Sequence, residues 1–79
     1  MSDSADMEYV VQNEGLFGPA LQEFRLQAGV PQADLAERLG LHRSYLSSLE
    51  NGRSTVAMRA LMRAFRELGL EVVVRPKSP

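Results

Sequence analysis

Cysteine is absent from all 79 residues, which excludes a disulfide framework and any thiolate metal site. Histidine occurs once, at His42, and a single imidazole does not build a metal site, so neither metal nor cofactor is expected. No run approaches the roughly 20 consecutive apolar residues that cross a bilayer. The first residues, MSDSAD, also lack the basic region and apolar core of a signal peptide, so a cytoplasmic location without a membrane partner is expected. Enzymatic machinery is missing as well: there is no phosphate-cradling glycine loop, histidine pair or cysteine nucleophile. Carboxylates such as Glu37 and Glu50 stand on helical stretches with no evident pocket, so catalysis is not expected. A chain this short holds one domain and buries only ~60% of the surface that its unfolded form exposes, leaving marginal stability that pairing with a second copy would raise.

An excess of one charge is also lacking, since the net charge is -1. Its distribution is uneven. Residues 1–23 carry five acids (Asp3, Asp6, Glu8, Glu14, Glu23) and no base, whereas residues 24–79 carry nine bases against five acids. Seven of the nine bases are arginines between Arg25 and Arg66. That pattern fits either an ordinary solvated face or a surface for a polyanion.

What is present is helical periodicity. The first six residues read as a disordered tail and Met7 to Val11 as a short strand. From Leu16 to Ala28, Phe17, Ala20, Leu21, Phe24 and Ala28 recur at spacings of three and four, predicting an amphipathic helix closed by Gly29. Further helices are expected over Gln32 to Leu39, Arg43 to Glu50 and Thr55 to Leu68, the last burying Met58, Leu61, Met62, Phe65 and Leu68. Gly40, Gly52 and Gly69 punctuate them. After Gly69 the stretch LEVVVRP turns extended: its three valines favour a strand and Pro76 stops it. A lone strand is unstable, so its edges must meet Met7 to Val11, the same strand of another subunit, or a partner protein.

The most informative stretch is QADLAERLGLHRSYLSSLENG, residues 32–52. It resembles the helix-turn-helix of the lambda-repressor-like, or Xre, family of bacterial and phage regulators, the resemblance covering roughly residues 16–69. Ala36 falls where the two helices cross and only a small side chain lets them approach. Gly40 opens the turn. Leu35, Leu39, Leu41, Leu46 and Leu49 are expected to point inward.

The resemblance implies a mainly α fold of four or five helices and binding to double-stranded DNA. At 100° per residue the second helix of the motif turns Ser44, Ser47 and Ser48 away from Leu46 and Leu49, so these serines face the bases. Arg43, in its first turn, is expected to be the principal reader, because a guanidinium bonds two acceptors of guanine at once. Tyr45 falls at the border of the buried stripe, where packing outweighs a phosphate contact. By resemblance, Gln32, Asn51 and Arg53 hold phosphates, and Arg25 forms a positioning ion pair with Glu50. Two positions depart from the family: Pro31 stands where a hydroxyl residue usually caps the first helix of the motif, and His42 where one begins the second. His42 is expected either to cap through a ring nitrogen or to contact phosphate.

The ending is also distinctive, since most of the family continues into a fifth helix. A strand here resembles HipB-like antitoxins, which implies that Glu71, Val72, Val73 and Val74 pair with their counterparts in a homodimer. Such a dimer expects a palindromic operator, a role as repressor and, in the antitoxin case, a HipA-like toxin as partner. Residues 1–15 are then an acidic tail with a short strand, 16–69 the DNA-binding domain and 70–79 the dimerisation strand and tail. The alternative is an interaction module of the same fold that has lost DNA binding.

Overall fold

A computed structural model describes residues 7–77; the expected N-terminal tail, MSDSAD, lies outside the described residues. In chain order they form strand β1 (Tyr9–Val11), a 3-10 turn (Glu14–Leu16), helices α1 (Phe17–Gln27), α2 (Gln32–Leu39), α3 (Arg43–Glu50) and α4 (Val56–Glu67), and strand β2 (Val72–Val74). The fold is mainly helical, with one small antiparallel sheet.

Local chemistry sets most of these limits. Asn13 accepts a hydrogen bond from the Gly15 amide (2.9 Å) and starts the 3-10 turn, which shortens the helix expected from Leu16. Thr55 lies just outside α4 as its N-cap, its hydroxyl accepting from the Met58 amide at 3.2 Å. Pro31 and His42 cap α2 and α3 without any side-chain hydrogen bond, so the capping role considered for His42 is not made. Between α2 and α3 the chain reverses through Gly40, whose φ of 68° is left-handed backbone that a side chain would strain. The Leu41 amide then donates to the Ala36 carbonyl at 2.9 Å and closes the end of α2.

The core has two parts. Val11, Ala20 and Met62 are buried together, with Tyr9, Leu16, Phe17, Phe65, Val72 and Val74 packed around them, joining the sheet to α1 and α4. On the other side α3 lies against both α1 and α2, with Leu46 and Ala36 buried. At Gly18 the backbones of α1 and α3 come so close that a Cβ would collide with the Leu49 carbonyl, an approach that the absence of a side chain there permits.

Of the three partners open to β2, the structure supplies β1 of the same chain. Tyr9 faces Val74, Val10 faces Val73 and Val11 faces Val72. Glu71 precedes the strand and is exposed. Four expected core positions also differ. Leu39 is 54% exposed because it ends α2 with nothing packed over it. Ala28 is the exposed C-cap of α1. On α4, Leu61 and Leu68 are 55% and 72% exposed, because they lie beside the covered row of Met58, Met62 and Phe65 and not within it.

Candidate nucleic-acid interface

The site is built outward from a buried ion pair. Arg25, on α1, donates from Nε to Oε2 of Glu50 (2.7 Å) and from Nη2 to Oε1 (2.9 Å), while its Nη1 donates to the Val30 carbonyl (2.9 Å). Glu50 ends α3 and is 2% exposed. This fork locks α1 to α3 and satisfies the carboxylate where water does not reach it. Hydrogen bonding from Arg25 holds the Glu50 carboxyl below its ordinary range against the opposing effect of burial, with Gln32 adding to the lowering. The same contact raises the Arg25 guanidinium.

From this pair a chain of hydrogen bonds runs to the surface. Gln32, the first residue of α2, donates from Nε2 to Oε1 of Glu50 at 3.0 Å, and its Oε1 accepts from Nε of Arg43 at 3.2 Å. The amide has one way round. A carboxylate only accepts and a guanidinium only donates, so the NH2 end must face Glu50 and the oxygen Arg43. Sequence reasoning gave Gln32 to phosphate and missed this link. Two polar residues eleven apart on separate helices carry no periodic signature; the fixed geometry of the turn is what joins them.

Arg43 is exposed on the first turn of α3. With Nε engaged, its two terminal nitrogens are left for an external acceptor pair. Ser44 beside it is exposed, and Ser47 and Ser48 are half-buried. Ser48 donates its hydroxyl back to the Tyr45 carbonyl at 2.7 Å, so only its acceptor lone pairs remain. Tyr45, expected chiefly to pack, is 43% exposed, and the Arg53 guanidinium lies 5.7 Å from its ring centroid. Asn51, Arg53 and His42 are exposed around α3.

Part of the charge is paired within the chain. Two N-terminal acids sit against bases of the far elements, Glu14 with Arg59 on α4 (3.6 Å) and Glu8 with Arg75 after β2 (3.8 Å). Among the described residues Arg43 and Arg53, at the two ends of α3, form no ion pair, so both charges remain available at that surface. Asp34 and Glu37, two and five residues beyond Gln32, fall on the opposite side of α2.

The profile of a helix-turn-helix family matches residues 21–74, about two thirds of the chain and all of α2, α3 and α4. Neither a curated protein nor a solved structure matches it. Within the described residues no helix is long and apolar enough to cross a membrane.

Proposed function

The chain belongs to the Xre, or lambda-repressor-like, helix-turn-helix family of DNA-binding transcriptional regulators, and from that premise we propose a homodimeric repressor that seats α3 in the major groove of a palindromic operator. The single observation that carries the reading is Arg43, exposed at the start of α3 and held through Nε by Gln32. Its free terminal nitrogens match the paired O6 and N7 acceptors of guanine. Ser44, Ser47 and Ser48 are small enough to let the helix seat deeply, and read adjoining bases weakly. Asn51, Arg53, Tyr45 and His42 ring the helix and hold phosphates, as does the second amide proton of Gln32, setting register without reading sequence. The unit that meets DNA lies within residues 16–69. In the dimer, two copies of α3 reach successive major grooves about 34–36 Å apart.

Fluorescence anisotropy with random and genomic DNA across a salt series tests this. Binding that weakens linearly in log–log form as salt rises is expected, from counterion release. Absence of salt-dependent binding to any sequence would instead favour an interaction module of the same fold that has lost DNA binding. A finer reading, a HipB-like antitoxin paired with a HipA-like kinase, is supported by a strand following α4 where a fifth helix is usual. Co-purification with such a kinase checks it.

The second subunit reaches Glu71 and the remaining edge of β2, but that edge is small. β2 spans three residues and one of its edges already pairs with β1. A stable interface buries on the order of 800 Å² per partner. More surface is required.

A further inference from the structure

Helix α4 has the largest share of apolar residues among the described helices, yet it is largely uncovered. Eight of its twelve residues are apolar, but Met62 alone is buried, with Met58 and Phe65 half-buried beside it. Roughly 100° around the helix runs a second apolar row, Ala57, Leu61, Ala64 and Leu68, all exposed. A helix apolar on two sides is one that something covers, and contiguous apolar patches mark contact surfaces.

We propose that a second copy of this chain covers it, α4 packing antiparallel on α4 across a two-fold axis; the proposal rests on the homodimer reading and says where the two copies meet. The row is complementary to its own reverse. Its four-three-four spacing is that of a helix-pair seam. With the partner helix reversed about a point between Met62 and Arg63, Leu61 faces Ala64 of the other copy and Leu68 faces its Ala57, so each large side chain meets a small one. A parallel partner would set like against like. Ala64 also lines a shallow depression of about 410 Å³ with Ala60, Arg63 and Glu67 on the outer flank of the row. Charge agrees. Arg63 and Glu67 share the outer flank of the row, and neither makes an ion pair among the described residues. Reversal brings like flanks together, which puts Glu67 on the same side as the other copy's Arg63. Opposed helix dipoles add to the match.

Sedimentation equilibrium of the full chain, with circular dichroism to verify folding, tests the seam. Wild-type protein is expected to be a dimer, and Leu61→Glu, at an exposed position that leaves the fold intact, to dissociate at least tenfold more readily. Ala64→Leu alone sets leucine against leucine and weakens association. The exchange Leu61→Ala with Ala64→Leu restores the large-to-small match and regains most of it. A wild-type dimer that Leu61→Glu leaves unchanged, or an exchange variant no tighter than Ala64→Leu, overturns the α4 seam while leaving the homodimer standing. A wild-type monomer both free and on operator DNA overturns the homodimer itself.

Discussion

At the scale of single residues the site is a matter of which hydrogen-bond donors are already spoken for. Arg43→Ala is expected to cost ~1–3 kcal/mol on the cognate operator and to relax one base preference, whereas Arg53→Ala should weaken all sequences alike and reduce the salt slope by about one. Anisotropy on cognate and random DNA separates the two, and a uniform loss from Arg43→Ala would remove it as the reader. Gln32→Ala frees Nε of Arg43, so the same base preference should relax although Arg43 is unchanged. Glu50 makes a prediction in pH. Its carboxyl is held down in the folded state, so below its unfolded value, about 4.3, the unfolded chain binds the proton that the folded chain refuses. Stability is therefore present above that value and lost as pH falls through the lower folded one. Urea midpoints measured from pH 6 to pH 2.5 should fall steeply, and more shallowly in Glu50→Gln.

At the scale of elements, the helix pair α1 and α3 sets how α3 is presented. Gly18→Ala puts a methyl group into the Leu49 carbonyl and should destabilise by about 3 kcal/mol or more, measured by chemical denaturation. Thr55→Ala should cost only ~1 kcal/mol, the ordinary value of a lost cap. The limits of α2 and α3 were legible in the sequence because their causes are local: an apolar period, Pro31 before one, Gly40 after it. Gly18 was not, because a glycine within a helix shows no periodicity and its reason, the Leu49 carbonyl, lies on another element. Leu61 and Leu68 were misplaced for a related reason. Spacings of three and four mark both the row that the core covers and the row next to it, and only packing decides between them.

At the scale of the whole molecule, the pairing of Arg25 with Glu50 came from a family resemblance, since nothing in a separation of twenty-five residues announces a contact. The partner of β2 had three candidates because an unpaired strand edge looks the same to each; burial of Val11 beside Ala20 and Met62 favours the strand of its own chain. The division of charge was legible only as an imbalance along the chain. Its spatial form, Glu8 against Arg75 and Glu14 against Arg59, depends on how the N-terminal elements pack on β2 and α4. If two copies share the α4 face, the midpoint of thermal unfolding should rise with protein concentration.

The ladder between Tyr9–Val11 and Val72–Val74 joins segments separated by almost the whole chain. Closing a loop of about 60 residues costs roughly 4 kcal/mol of chain entropy, which the helices must lower by assembling first. The strands are therefore expected to open before the helices. Hydrogen exchange should show the amides of β1 and β2 exposed through openings that leave α1 and α3 protected, so the contact that brings both flanks of the domain together would also be where its unravelling begins.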